Sequence, residues 1–558
     1  MIEPGDGVIE PSAPEVGIVP LGGCGEVGLN ATLIFDGPDA ILIDCGVLLS
    51  NPEAPGVDRV VPDFGAIHRA GRRLHGVIIT HGHEDHLGAI AELLTEIEVP
   101  IYGPPLAILI LRSRLENRGV RWEALHSVPI GERIQLGPFN IELVRVTHSI
   151  PDAAALCIES RAGRILHSGD FKLDPSPVDG HATDLARLAA LGDLGVDVLL
   201  ADSTNSQRPG RTRSEQEVGI ELERIARESE GRLVIACFAS HLHRLQGIGR
   251  AAKASGRRVT LFGRSLHRTW EIGTKSGHLD LEATLSDEEQ LGRVDKHRSI
   301  LVVTGTQGEP RAALARLAFS PIDGFQLGVG DRVVLSAMAI PGNERSVRRV
   351  LNAIAATGAE VIVDGMRPVH CSGHAHAGEQ IDLLRLVRPK HFVPIHGERA
   401  MLEAHARTAH AAGVPRDRVV VLENGESAIL SGGHLFRGPE EPSGRRAIDA
   451  GSGREIEWSG VEERRRLSFS GIVICSVLVD ASGGRPIGVP QITPLGLPSL
   501  SPAMRAELAE AAREAVEAAG PSQDAVRSAV RGRLRRALGV RPQVEVHVLQ
   551  VDPEGKTG

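Results

Sequence analysis

Aromatic side chains are scarce: one tyrosine, three tryptophans and eleven phenylalanines make up 3% of the 558 residues. A surface that reads its ligand mainly by ring stacking is therefore poorly supplied. Cysteine is nearly as rare. Six are scattered at positions 24, 45, 157, 237, 371 and 475, with no Cys-x-x-Cys pair. This argues against a disulfide framework and a cysteine zinc site, and suits a reducing cytoplasm. No apolar run reaches the ~18 residues of a spanning helix, and no membrane association is expected. The opening MIEPGDGVIEP lacks the basic and apolar regions of a secretory signal. No fixed-period repeat occurs. Nor is there a basic excess: 62 Lys and Arg against 71 Asp and Glu leave a net charge of −9. Apolar content of 42% with 24% charged residues fits a folded chain. Its length exceeds the ~250–300 residues that one core serves, so several domains are expected.

What is abundant is histidine, 23 in all, often clustered beside Gly, Asp and Ser where a packed core has no use for it. The first third alternates β-rich runs (ATLIF, AILID, GVIIT, IELVRV, RILHSGD) with turns, and Leu87 to Ile97 reads as a helix. Strands leading into polar loops favour a layered α/β sandwich. From about Arg213 to Gly342, charge-rich helical segments separate the strands RLVIAC, RSILVVTG and RVVLSA. EVIVDG and HFVPIHG then bring back the strand pattern of the first third. SGGHLFRGPEEPSGRRAIDAGSG reads as a linker, and GIVICSVLVD and QVEVHVLQV flank a helical stretch from Pro502 to Leu538.

Gly23-Cys-Gly25-Glu-Val-Gly28, with Asp44 further on, imitates a dinucleotide fingerprint. That fingerprint needs a helix to open at its third glycine. Here LNATLIFDGPDAILID follows, a strand–turn–strand pattern, so the glycines are read as shaping a tight loop. The stronger signal is Thr80-His81-Gly82-His83-Glu84-Asp85-His86, placed between a strand and a helix. Three imidazoles and a carboxylate at a strand end suit a borderline-soft divalent cation. His148 in VTHSIPD, Asp170 in HSGDFKLD and His396 in VPIHGE stand at similar junctions. These seven candidates exceed one tetrahedral site and suit two metals bridged by a carboxylate, for which Asp170 is the candidate.

His-x-His-x-Asp-His followed by His148, Asp170 and His396 resembles the metallo-β-lactamase superfamily. The last histidine comes 226 residues after Asp170, and an insert there resembles the β-CASP domain of nucleic-acid-processing members. LGGCGEVGLN, DCGVLLSNPEAPGVDRVVPDF, ADSTN, CFASHLHR, TGTQGEPRAAL, IPGNE, HCSGHAHAGE and PKHFVPIHGE are similar in order and spacing to the ribonuclease J family, from about Val16 onward. The fold implied is an α/β protein: a metallo-β-lactamase αββα sandwich, an inserted α/β β-CASP domain and a small C-terminal αβ domain. The expected division is 1–212 and 343–432 for the sandwich, 213–342 for the insert, 433–455 for a linker and 456–558 for the last domain.

The resemblance implies one zinc on His81, His83 and His148, another on Asp85, His86 and His396, and Asp170 between them, with manganese or magnesium able to support activity. It gives Asp85, Asp202 and His374 catalytic parts. His370, Cys371, Ser372, Gly373 and His374 resemble the pocket for a 5′-phosphate end of RNA, and Ser240, His241 and His243 its neighbours across the cleft. His396 is the residue that RNA-cleaving members carry where DNA-cleaving relatives tend to have valine. The implied activity is removal of nucleotides from the 5′ end of monophosphorylated single-stranded RNA together with internal cleavage. Its setting would be RNA decay and rRNA or mRNA maturation in the cytoplasm, by a dimer or tetramer with a possible place in an RNA-degrading complex.

The residues make chemical sense on their own terms. A metal lowers the pKa of water enough to provide a nucleophile at neutral pH, and His374, oriented by Asp202, is the candidate proton donor to the leaving 3′-oxygen. Arg244, Arg264, Arg311 and Lys390 are candidates for a basic channel, and Phe238 for a stacking platform. The basic run Arg527 to Arg541 touches RNA or a partner subunit, or is simply a solvated helix face. The rival readings are a small-molecule metallohydrolase, which the long gap and HCSGH oppose, a DNA nuclease, which His396 opposes, and a scaffold subunit, which the full ligand set opposes.

Overall fold

The computed structural model describes residues 14–49, 54–68, 71–281, 284–286, 295–320, 325–340, 342–539 and 541–551. The expectation for the chain's start lies outside these residues, as do residues 50–53, Pro341 of IPGNE and Val540 of the basic run. Two compact units form. One takes the chain to Leu49 and Val60–Arg445; the other takes the stretch up to Arg59 and everything from Arg446.

In the first unit two sheets lie face to face. One has eight strands in the order His434–Arg437, Ala428–Ser431, Glu15–Gly22, Ala31–Asp36, Asp39–Ile43, Arg73–Ile78, Ile101–Gly103, Leu125–Ser127. The other has six: His391–Ile395, Val198–Asp202, Gly163–His167, Ala154–Ser160, Phe139–Arg145, Arg133–Leu136. The strand period of two sorts the side chains. Ile141, Leu143, Leu156, Ile158, Ile165, Val198 and Leu200 point inward to meet Ile18, Ile34, Ile41 and Ile78 of the facing sheet. Val144, Ala155, Cys157, Leu166 and Leu199 point outward and are covered by Leu188, Leu191, Leu383, Leu384 and Ala409 of the helices Leu185–Leu194, Ala377–Val387 and Arg399–Ala411. On the other side Pro105–Asn117 packs along the strands at either end of it. This is the four-layered sandwich that the resemblance implies.

The insert is a parallel sheet in the order Arg258–Phe262, Ser299–Val303, Leu233–Ala236, Arg332–Leu335, Glu360–Val363. Both faces are buried, which explains the unbroken apolar runs of its strands. Leu233, Ile235, Ile300 and Val302 meet helices Glu215–Glu228 and Leu242–Ser255, whereas Val234, Leu301 and Val333 meet Ala313–Phe319 and Glu344–Ala356. Glu360–Val363 pairs with Arg332–Leu335, so the insert's sheet runs on past position 342.

The second unit is a three-stranded sheet, Pro486–Leu495, Ile472–Asp480 and Gln543–Val551, with one face covered by helices Pro502–Ala519 and Gln523–Leu538. Gly520, at φ +72°, breaks the expected single helical stretch into a hairpin. Two other local expectations are corrected. Leu87 to Ile97 is not one helix but Glu84–Leu87 and Ile90–Leu93, because Ala89 donates its N–H to Cys45 O instead of continuing the first. The presumed linker contains a strand, His434–Arg437, which pairs with Ala428–Ser431 and so completes the larger sheet's edge. Among the described residues no helix is long and apolar enough to cross a membrane.

Candidate metal centre

Every metal candidate stands just beyond the C-terminal end of a strand, in a loop or, for Asp85 and His86, in the short helix Glu84–Leu87 that follows. His81, His83, Asp85 and His86 follow Arg73–Ile78, His148 follows Phe139–Arg145, Asp170 follows Gly163–His167, and His396 follows His391–Ile395. The two sheets bring these ends together. Three groups result, His81/His83/His148, Asp85/His86/Asp170/His396 and Asp170/Asp202/His374/His396, each with candidate ligand atoms within 4.8 Å of one another. His83 Nδ1 lies 3.0 Å from His81 Nε2 and 3.1 Å from His148 Nε2. Asp170 stands between the groups: its Oδ2 is 3.2 Å from His86 Nε2, 3.7 Å from His148 Nε2 and 3.8 Å from His81 Nε2, and its Oδ1 is 3.1 Å from His396 Nδ1. Asp85 Oδ2 lies 3.4 Å from His396 Nε2 and 3.6 Å from His86 Nε2.

Outer partners decide which ring nitrogens face inward. His86 Nδ1 donates to Asp44 Oδ2 at 2.7 Å. Thr80 Oγ1 donates to the same carboxylate at 2.8 Å and so accepts from His81 Nδ1 at 3.0 Å. His148 Nδ1 donates to Gly373 O at 2.7 Å. Each proton fixed outside leaves an Nε2 lone pair turned into the site, the arrangement by which outer groups orient metal-binding imidazoles. His396 Nε2 is buried without a hydrogen-bond partner. Three converging imidazole nitrogens and one orphaned buried nitrogen are satisfied by cations far better than by one another, so the donor set fits divalent metal. Burial holds His81 and His148 well below the usual imidazole range and brings His83 down to about 4, which keeps them neutral. Burial acts against charge on His86 and His396 as well, but Asp170 outweighs it and raises both. Asp44 and His396 adopt left-handed backbone, φ +59° and +50°; such strain costs about 1–3 kcal/mol at each residue and is met at functional sites.

Beside this cluster lies the turn His370–His374. Gly373 is where backbone must come close: a Cβ there would sit 2.6 Å from His148 Cε1. Asn205 Nδ2 donates to Ser372 Oγ at 2.8 Å and to His374 O at 3.0 Å, clamping the turn. His374 Nδ1 donates to Asp202 Oδ2 at 2.8 Å. Burial disfavours charge on His374, yet Asp202 and then Asp170 raise its pKa above the ordinary value. His370 Nδ1 is buried and unpartnered.

Several of the side chains expected at RNA have partners within the protein. Arg244 is fully buried; its Nε and Nη2 donate to the Glu215 carboxylate at 2.5 and 2.9 Å, and its Nη1 donates to Ser336 O and Val369 O. The Cys371 thiol donates to Glu215 Oε2 at 2.9 Å, with Lys172 Nζ 3.7 Å away on the other side. His241 caps helix Leu242–Ser255 and lies 3.5 Å from Glu215, His243 pairs with Asp179, and Lys390 with Asp197 at 2.8 Å. Ser240 and Phe238 stay partly exposed, and Arg264 and Arg311 are exposed. Sequence reasoning missed Asn205, Glu215, Lys172 and also Asn30, whose Nδ2 donates to Asp85 Oδ2 at 3.4 Å and lies 3.0 Å from His86 Nε2; their parts depend on partners far along the chain. It met Asp44 only as a false ribose ligand. The glycines Gly23, Gly25 and Gly28 all take positive φ and open no helix; Gly25 N donates to Gly397 O, so the loop braces the residue after His396.

The sequence matches four family models: the metallo-β-lactamase superfamily over residues 24–206, the ribonuclease J β-CASP domain over 230–354, the Zn-dependent metallo-hydrolase RNA specificity domain over 360–421 and the ribonuclease J C-terminal domain over 459–551. It is 37% identical to Ribonuclease J of Sinorhizobium meliloti over 561 residues, covering 96% of this chain and 98% of that one. The chain belongs to the ribonuclease J family. It is thus a metal-dependent ribonuclease, with RNA as its substrate. Ribonuclease J of Mycolicibacterium smegmatis is 39% identical over 84% of each chain, and that of Helicobacter pylori 35% identical over 84% of this chain and 68% of its own. A crystal structure of a protein of unknown function from Enterococcus faecalis V583 shares the fold, with a TM-score of 0.53 and 16% identity over 75% of this chain and 100% of that one.

Proposed function

We propose that this ribonuclease removes nucleotides one at a time from 5′-monophosphorylated single-stranded RNA and also cuts internally, in RNA decay and rRNA or mRNA maturation in the cytoplasm. The observation that carries the reading is the His148–Gly373 hydrogen bond. It sets the turn suited to a terminal phosphate directly against the metal ligands, so an RNA end held there has its first linkages beside the cluster. In that turn Ser372 and the Gly373 backbone suit a phosphate, with His370 beside them and Ser240 across the cleft. Two zinc ions would be held by His81, His83 and His148 and by Asp85, His86 and His396, with Asp170 between. When bound they supply a lowered pKa for water and charge to offset that on the phosphoryl oxygens. Asp202 holds His374 by its Nδ1 and, by raising its pKa, favours the protonated ring, which can pass a proton from Nε2 to the leaving 3′-oxygen. The six unpaired cysteines suit a reducing compartment, and a dimer or tetramer accords with the resemblance.

The test gives the metal-loaded enzyme a labelled 5′-monophosphate RNA, its triphosphate twin and matched single-stranded DNA, with Asp85→Ala as the control. Mononucleotide release chiefly from the monophosphate, lost in the variant, is expected. Internal fragments regardless of the 5′ end would remove the terminal pocket, and equal cutting of DNA would overturn the substrate.

The proton donor has its own signature. A group whose pKa is raised acts as an acid at all lower pH and fails as pH rises through that pKa. Asp202→Asn withdraws the carboxylate that raises His374, so the alkaline limb of the kcat–pH profile should move to lower pH. A limb that stays put, in a variant that still binds metal, would exclude His374 as the donor.

A further inference from the structure

The basic run near the C-terminus has no part in the site above. Val526, Val530 and Leu534 bury one face of Gln523–Leu538, which turns Arg531, Arg535 and Arg536 outward to solvent, with Arg533 half-buried beside them. Arg531 and Arg535 stand one turn apart, about 6 Å along the axis. The helix runs antiparallel to Pro502–Ala519 across the Gly520 turn, so its last turns share an end with exposed Arg505 at the start of the hairpin and Arg541 just after it.

Elsewhere on this hairpin arginines are neutralised locally: Arg513 by Glu510 and Glu517, and Arg527 by Asp524. Among the described residues Arg505, Arg531, Arg533, Arg535, Arg536 and Arg541 have no carboxylate partner, and on the neighbouring helix Glu507 and Glu514 are the acids without an ion pair. In a chain of net charge −9, such a cluster repels itself unless an anion covers it. Guanidinium groups match phosphate oxygens in pairs, and repeated like charge fits a polyanion better than any single small ion.

We propose that this end of the hairpin is an accessory site for the phosphodiester backbone of RNA, separate in its residues from the cleavage site. The proposal rests on RNA being the substrate. The full-length triple variant R531Q/R535Q/R536Q tests it. In an Asp85→Ala background, equilibrium binding of a long unstructured RNA is measured across a salt series; with Asp85 intact, turnover of a short 5′-monophosphate oligonucleotide is followed. Loss of three phosphate contacts should weaken long-RNA binding at least about tenfold and reduce the slope of log K against log salt by about 2, each contact on a single strand contributing about 0.7. Short-substrate turnover should be unchanged, which also shows that the variant folds, and R531K/R535K/R536K should keep the slope. An unchanged affinity and slope would overturn the proposal. So would an altered oligomer mass with RNA binding intact, which would make the surface a subunit contact. If the unaltered enzyme cleaves no RNA, the ribonuclease reading fails instead.

Discussion

Asp170→Asn is expected to strip the protein of bound metal and to lower turnover by well over the ~10–100-fold that loss of an outer-shell partner costs. Both carboxylate oxygens are in use, Oδ2 toward His86, His148 and His81 and Oδ1 toward His396. An amide of the same shape carries no charge and turns an N–H toward one of these nitrogens. Asp44→Asn sets the comparison. It leaves every ligand in place but loosens His86 and Thr80, which Asp44 orients, so its effect should stay inside that range. Metal content per chain and initial rates on RNA are measured for both. Full metal content and a rate within tenfold in Asp170→Asn would show that Asp170 does not bridge.

The second large effect concerns stability. Arg244→Met should cost about 3–5 kcal/mol, because Glu215 is left charged and buried. The pair is enclosed, with Arg244 0% and Glu215 4% exposed. Burial raises the Glu215 carboxyl and Arg244 is the main cause that holds it well below the usual range, so without Arg244 the group either keeps an unpaired charge or takes up a proton, and both cost stability. Replacing both partners, as in E215L/R244M, should recover much of the loss, since an apolar pair has no charge to desolvate. Denaturant midpoints followed by tryptophan fluorescence and circular dichroism test this. A single variant as stable as the parent would show that the ion pair contributes nothing. The pair also bears on the site, because Glu215 accepts from the Cys371 thiol. Asp170 and Lys172 share a loop, and Lys172 reaches that same thiol, so the double variant should be stable yet weaker in holding the His370–His374 turn.

The sequence by itself determined the class of chemistry. Donor types and their spacing are local facts: His81, His83, Asp85 and His86 lie within six residues, and the strand end before them was readable. The strands in ATLIF, AILID, GVIIT, IELVRV, RILHSGD, RLVIAC, RSILVVTG and RVVLSA were legible for the same reason, since a period of two or an unbroken apolar run is written in consecutive residues. Where local signals compete, the tertiary structure decided. The helix expected from Leu87 to Ile97 broke because a backbone donor was claimed by Cys45, and His434–Arg437 became a strand because a sheet edge stood beside it.

Only the folded chain showed what orients the donors. Asp44 serves His86 across 42 residues, Asn205 clamps Ser372 across 167, and Gly373 fixes His148 across 225. Such partners carry no periodicity and no motif of their own. The same holds for Arg244, which a sequence reading puts in a basic channel and the structure buries against Glu215. A charged residue's identity says what it can bind, but whether it meets solvent, substrate or an internal counter-charge depends on which distant elements pack over it.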